Sequence, residues 1–342
     1  MPPQRMPPGQ LAGIVFLALF TLGTETLPDR LSAAGGAAWL CPLLAGAVFL
    51  PLAWLLARRP WAGRSLSAKG RAPAVLLLLW GLWTTAGETC RVGLRLSEDL
   101  RGSPLLLAGA VLGLAGWMAA GGLAALGRAC RLFAMAVGLT FFLIVLFGLA
   151  GLRWDWILLW NAGDLGAVPR QTAVTAGSLS AGLYALVLPE EPAEPRPAVV
   201  RLAALFPLLA LAALLVTGRL GPALAGRVER PFLQMVSGLG FQGAFQRLEE
   251  LVSALWLLGD AALLALLLLA LRRLLSRAAG REESAVMGWL TAAAVFALVL
   301  CRTLWQTGAD QAEPWAGQLA AGAALLLWTM GRKKFENPKK RD

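Results

Sequence analysis

The chain alternates between long apolar runs and short charged segments. Windows of about twenty residues divide the apolar runs into candidate transmembrane helices. Five lie near residues 11–31, 36–57, 73–96, 104–126 and 132–151, and five more near 171–189, 199–218, 247–271, 285–304 and 315–331. The runs show neither the two-residue alternation of strands nor the one-faced stripe of soluble helices. The pattern therefore predicts an all-α integral membrane protein of about ten spans, with residues 1–342 forming a single transmembrane domain.

Two polar stretches between the spans predict segments that do not cross the membrane. Residues 153–170 contain Trp154, Trp156 and Trp160, whose rings favour the headgroup level, and this favours an interfacial half-helix. Residues 219–246 are too polar and glycine-rich to cross, but they carry enough apolar side chains to lie on the bundle.

Composition agrees with a lipid-solvated chain. Of the 342 residues, 58% are hydrophobic and 15% are charged, and the mean hydropathy is +0.65, which is too apolar for a soluble domain. The net charge of +11 does not predict nucleic-acid binding, because the basic residues lie between apolar runs and not in one patch.

The distribution of basic residues predicts the topology. Lysines and arginines concentrate in the loop after the second span and in a basic tail, residues 332–342. The positive-inside rule places both of these regions, and therefore both termini, in the cytoplasm. Because no small-residue cleavage site follows a short apolar region, we expect residue 11 onward to be a retained span.

The residues needed for common enzymatic and metal chemistry are missing or scattered. The chain has no histidine, which excludes triad hydrolysis and histidine-ligated zinc. Its four cysteines, Cys41, Cys90, Cys130 and Cys301, show no regular spacing. We therefore expect no metal, no cofactor and no catalytic residue, and we disfavour an intramembrane enzyme acting on lipids.

The first span is interrupted by a polar run. Gly23, Thr24, Glu25 and Thr26 precede Pro28 in an otherwise apolar helix. Glycine and proline weaken helices, and unwound backbone at membrane depth can bind a substrate carboxylate. These four residues are candidate ligand-binding residues. The alternative is that the run marks the outer end of span one.

The sixth span contains a small polar run over residues 175–182. Gly177, Ser178 and Ser180 in this run are further candidate ligand-binding residues if the helix is broken here. They equally suit a close-packing face, since small residues let membrane helices approach. Breaks in spans one and six are the arrangement expected of two inverted five-helix repeats.

Ionisable residues inside spans are functional candidates. Glu88 and Arg91 lie one turn apart in span three, on the face that also carries Arg95, which predicts an internal salt bridge. Asp260 lies near the middle of span eight, where it can serve as a proton or cation relay or can bond another helix. A carboxylate at Glu25 would repel a ligand carboxylate unless it is protonated or faces the ligand's ammonium group.

Several stretches carry a resemblance to a known family. The segment from Arg230 to Leu271, with Arg247, Glu249 and Trp256, resembles the permease-like B subunit of bacterial spore germinant receptors. Further matching positions are Gln10, Gly23, Pro28, Gly36, Trp39, Gly122, Arg128 and Arg131. The chain departs from the family at Trp160 and Asn161, where a Leu-Pro pair is often found.

The resemblance implies a fold and a function. The family belongs to the amino acid, polyamine and organocation transporter superfamily, which implies inverted repeats with broken helices 1 and 6. It implies a multi-pass protein of the endospore inner membrane. There it would sense a nutrient germinant such as an amino acid, together with a membrane A subunit and a lipoprotein C subunit. The alternative function is a proton- or cation-coupled amino acid secondary transporter.

Overall fold

The computed structural model describes residues 8–57, 68–182, 195–239, 248–280 and 283–305. These residues form helices and contain no strand. The helices are α1 (Pro8–Leu31), α2 (Leu40–Ala57), α3 (Ala68–Leu100), α4 (Pro104–Ala120), α5 (Gly122–Leu149), α6 (Asp155–Leu158), α7 (Ala162–Ser178), α8 (Pro195–Leu220), α9 (Pro222–Ala225), α10 (Pro231–Ser237), α11 (Leu248–Ala279) and α12 (Ala285–Trp305). A 3₁₀ segment, Ser32–Ala37, joins α1 to the turn before α2.

The helices confirm the predicted all-α, multi-pass membrane fold. Each of the first nine predicted spans overlaps a helix of the described residues, whereas the tenth, residues 315–331, lies outside them. By length and apolarity, five helical stretches of the described chain suffice to cross a membrane. The strongly bent pair of α3 and α4, at 118°, counts as a sixth. The described residues therefore supply fewer full-length spans than the predicted pattern.

The two inner helices are α1 and α11. In their most apolar windows 83% of the residues are buried, compared with 28% in α5 and 22% in α12. Helix α1 packs against α5, α8 and α11, while α11 also packs against α3, α4 and α5. A helix that is apolar on all sides is suited to such a central position.

The predicted break at residues 23–28 is wrong, because α1 runs without interruption to Leu31. The Thr24 and Thr26 hydroxyls donate to the carbonyls of Phe20 and Leu22, one turn back, at 3.0 and 2.8 Å. They therefore stay within the helix and do not cap a new one. The α-helical backbone ends only at Leu31. In the 3₁₀ segment that follows, Gly35 has a φ of 52°.

Gly23 provides close helix packing. A Cβ at this position would lie 2.6 Å from Leu209 Cδ2 of α8. The glycine thus allows α8 to approach α1, as small residues commonly do between membrane helices.

The polar run at residues 175–182 coincides with a change of helix type. Helix α7 begins at Ala162, where Asn161 and Asp164 form a capping box, and it ends at Ser178. Residues 179–182 continue as a 3₁₀ turn. A Cβ at Gly182 would lie 2.5 Å from Leu19 Cδ1 of α1, so this end of the run packs closely against α1. Because α7 begins at Ala162, its first half lies within residues 153–170, the stretch that was predicted to lie at the membrane interface.

Several helix ends meet α6, α9 and α10 at one end of the bundle, which we call the α9–α10 end. The Arg153 backbone amide donates to the Gly218 carbonyl at 2.9 Å, and the Arg230 side chain donates to Asp99 at 2.5 Å. At the opposite end, Arg272 and Arg273 pair with Glu283 at 3.2 and 3.1 Å across the turn between α11 and α12. The predicted topology makes the α9–α10 end the outer one.

The two inner helices approach each other closely at Gly259 of α11. An alanine Cβ there would lie 2.5 Å from Thr21 Cβ of α1. We expect Gly259→Ala to destabilise the protein by about 1–3 kcal/mol, the usual effect of overpacking. Thermal unfolding of the purified protein measures this change.

Gly113→Ala is the matched control, because a Cβ at this exposed α4 position meets nothing within 4 Å. Its unfolding midpoint should stay the same or rise slightly, since alanine favours a helix by up to about 1 kcal/mol over glycine. Equal midpoints for the two variants would show that α1 and α11 do not need their close contact.

Candidate functional site

Five charged side chains from three helices meet between α1, α3 and α11. Arg91 lies 2.6 Å from Glu25, 2.9 Å from Glu88 and 2.7 Å from Asp260. Arg95 lies 2.7 Å from both Glu25 and Asp260. We call these five residues the ion network. By helix length, they lie about 8–18 Å along their helices from the α9–α10 end, within bilayer depth.

The ion network is largely shielded from solvent. The side chain of Asp260 is 1% exposed, that of Arg95 4% and that of Arg91 20%. Buried charges are costly and persist only when they are paired and hydrogen-bonded. With three carboxylates and two guanidinium groups, the network carries one formal excess negative charge when all five groups are ionised.

Local sequence explains how the network is assembled. Glu88, Arg91 and Arg95 follow one another at spacings of three and four residues, so they share one face of α3. The close approach of Gly259 and Thr21 brings α11 against α1. The neighbouring Asp260 then lies within reach of both arginines, as does Glu25.

A polar contact beside the network links α1 to α11. The Trp256 indole N–H donates to the Thr24 hydroxyl at 3.1 Å, and Trp256 lies one turn before Asp260. On its other side, Trp256 contacts Phe232 of α10, with the ring centroids 5.9 Å apart. The α9–α10 end is therefore in direct side-chain contact with the helix that carries Asp260.

One donor of the network has neither a hydrogen-bond nor an ion-pair partner among the described residues. The Nε of Arg95 is buried and has no hydrogen-bond partner there. A buried donor without an acceptor costs about 1–3 kcal/mol, so an additional acceptor at this point would stabilise the network. The hydroxyl of Ser180 is likewise buried without a partner in the described chain.

All three residues predicted as coupling or structural charges come together in this network. Glu88, Arg91 and Asp260 are members, and Glu25, predicted as ligand-binding, joins them. Thr24 and Trp256 adjoin it. Arg95 was noted in the sequence only for its position on the helix face, and the partners from other helices carry no local sequence signal.

The remaining predicted site residues are elsewhere. Gly23 packs against α8 and Thr26 bonds within α1. Ser178 accepts a hydrogen bond from Arg30 of α1 at 2.9 Å, while Gly177 is buried in α7. Glu249 lies in the first turn of α11, away from Trp256, and Arg247 lies outside the described residues.

A second charged cluster lies at the α9–α10 end, which sequence reasoning did not single out. Arg230, just before α10, donates to Asp99, to Glu98 and to the Arg95 carbonyl. Burial works against the charged form of Arg230, but the bonds to the two carboxylates outweigh it, so the pKa of this guanidinium is raised. Arg230, Asp99 and Glu98 border a cavity of about 450 Å³, which Glu249 also lines.

Comparison with known proteins identifies the fold class. No protein-family model matches the chain, and no curated protein matches it in sequence. Crystal structures of two mutant forms of a manganese transporter from Eremococcus coleocola match it with TM-scores of 0.54 and 0.53 at 14% identity. Each match covers 93% of this chain and 74% of the transporter. The protein therefore has a transporter-like membrane fold.

Removing one side of the ion network should destabilise the protein. Arg95→Leu alone leaves three carboxylates facing one guanidinium group, and breaking a buried pair costs about 3–5 kcal/mol. Asp260→Leu alone leaves two charges of each sign and should cost less. The double variant Arg95→Leu/Asp260→Leu removes one charge of each sign and should recover much of this loss. Thermal unfolding in detergent compares the three variants, and additive losses would contradict a coupled network.

Proposed function

We propose that this protein is the nutrient-sensing, permease-like subunit of a spore germinant receptor. It binds a small solute that carries both signs of charge, an amino acid, at the ion network. The observation that carries the proposal is the network itself, which presents two guanidinium groups and three carboxylates at membrane depth.

An amino acid is complementary to this arrangement. Its carboxylate can replace Glu25 between Arg91 and Arg95, and the unpartnered Nε of Arg95 offers a further donor. Its ammonium group can face the displaced Glu25 or Asp260. Exchanging one ion pair for another avoids the cost of introducing an uncompensated charge into a low dielectric.

This exchange would alter how the helices are held. Glu25 is the charged group through which α1 contacts the arginines of α3. A ligand that takes over Arg91 and Arg95 would loosen α1 from α3 and so favour a second arrangement of the bundle. A ligand shifts such an equilibrium only by its differential affinity for the two states, and here that difference comes from the replaced pairs.

Further support comes from the sequence resemblance and from the transporter-like fold. Together they favour a binding protein and not an enzyme. The proposal includes the implied setting: the inner membrane of the endospore, both termini in the cytoplasm, and a membrane A subunit and a lipoprotein C subunit as partners. The partners would convert the movement of α1 into germination.

The second candidate is a proton- or cation-coupled amino acid transporter. It is favoured by the excess carboxylate of the network, which provides a place for one proton or cation. The similar solved structures are described as a manganese transporter, but the described residues contain no group of three or more Cys, Asp or Glu suited to a metal. The network carboxylates are already paired with arginines, so we do not extend manganese to this chain.

Arg91→Lys tests the sensor proposal. Lysine keeps the charge but loses the planar fork that holds a carboxylate at two points. We expect the amino acid concentration for half-maximal germination to rise about 10- to 100-fold, the loss of one charged hydrogen bond. Dose-response curves of spores, with protein levels measured by immunoblot, give this value.

Arg227→Met is the control, because Arg227 is exposed on the turn after α9 and should leave the curve unchanged. Normal germination of a deletion strain in every nutrient would refute the sensor. Saturable binding without uptake of labelled amino acid by proteoliposomes supports it, whereas sustained, gradient-driven uptake would establish the transporter.

A further inference from the structure

A cavity of about 430 Å³ lies at the α9–α10 end, apart from the ion network. It is bordered by the 3₁₀ segment, by α6, by the first turn of α7 and by α9. None of the five network residues lines it. The volume is within the range of about 300–1,000 Å³ that is usual for small-molecule sites.

Two glycines in the 3₁₀ segment allow the residues that line this cavity to come close together. At Gly35, a Cβ would fall on the Asp164 carboxylate, and φ is in the left-handed region. At Gly36, a Cβ would lie 2.6 Å from the Trp156 carbonyl oxygen. Without side chains at these two positions, α6 and α7 can approach the segment and bring Asp155, Trp156 and Asp164 to one cavity.

Two residues that line the cavity, Trp156 and Asp155, already bind a cation, the Arg153 side chain. The guanidinium of Arg153 lies 4.0 Å from the centre of the Trp156 ring, and its Nη2 pairs with Asp155 at 2.9 Å. An aromatic face beside a carboxylate is a recurring recognition pattern for organic cations. The hydrogen bond from Arg153 is the main cause that lowers the pKa of Asp155, so this carboxylate is charged at neutral pH.

The α7 N-terminus at the cavity does not make it an anion site. Helix N-termini attract anions through free backbone amides, but here Asn161 and Asp164 form a capping box and bond to each other's amides. The Asp164 carboxylate also adds a second negative charge to the cavity wall. The local charge therefore selects a cation.

We propose that this cavity binds a small organic cation, an alkylguanidinium or alkylammonium, which replaces the Arg153 guanidinium over Trp156 and pairs with Asp155 and Asp164. The Arg153 side chain is 58% exposed, and exposed ion pairs contribute little stability. It can therefore leave the ring without disturbing the fold. The site is independent of the ion network and goes beyond the function proposed above.

Equilibrium binding of radiolabelled methylguanidine to the purified full-length protein in nanodiscs tests the proposal. Arg153→Met removes the internal competitor and should tighten binding about five-fold, the combined effect of an exposed ion pair and a cation–π contact. Asp155→Asn and Trp156→Leu, each added to Arg153→Met, should weaken it about ten-fold relative to that variant. The neutral analogue methylurea should not compete.

Arg227→Met is the matched control for removal of an exposed arginine at the same end, and its affinity should equal that of the wild type. Thermal unfolding checks that each variant is folded. Binding that Arg153→Met leaves unchanged, or that Asp155→Asn does not weaken, would overturn the proposal. None of these variants changes a residue of the ion network, so the amino acid dose-response of germination should be the same in all of them. Failure of the cation site alone would leave that dose-response intact, whereas failure of the proposed sensor would appear in the dose-response and not in methylguanidine binding.

Discussion

The structure depends on the need to pair charges inside a membrane protein. Arg91 and Arg95 extend from α3 into the interior, where an unpaired guanidinium is very costly. Each is neutralised by carboxylates from two other helices, Glu25 of α1 and Asp260 of α11. This requirement fixes the position of α1 and α11 relative to α3, since a shift of one helical turn would separate the pairs.

Helix packing and charge pairing support each other in this arrangement. The apolar surface of α11 can be buried at many registers, because leucine and alanine recur along it. The contact of Gly259 with Thr21 and the bond from Trp256 to Thr24 select one register. In that register Asp260 meets both arginines. Specific polar contacts therefore determine which of the available apolar packings is adopted.

Apolar runs predicted the approximate positions of the first nine spans, each of which overlaps a helix of the described residues, because lipid requires long apolar helices whatever their neighbours. Glu88 and Arg91 could be paired from their spacing alone, which is a local property of α3. The partners Glu25 and Asp260 come from distant parts of the chain and could not. The predicted break at Gly23 was wrong for a physical reason: threonine hydroxyls can bond within their own helix, and glycine serves packing as readily as unwinding.

The similarity to a manganese transporter extends to the fold, while the ion network of this chain combines carboxylates with guanidinium groups. A metal site needs carboxylates that are free to coordinate, whereas guanidinium groups beside them repel a metal ion and attract a carboxylate. A network that contains both signs is therefore less suited to a metal ion alone than a cluster of carboxylates would be. The excess of one carboxylate leaves the network slightly negative, so the ammonium group of the proposed amino acid ligand is accommodated together with its carboxylate.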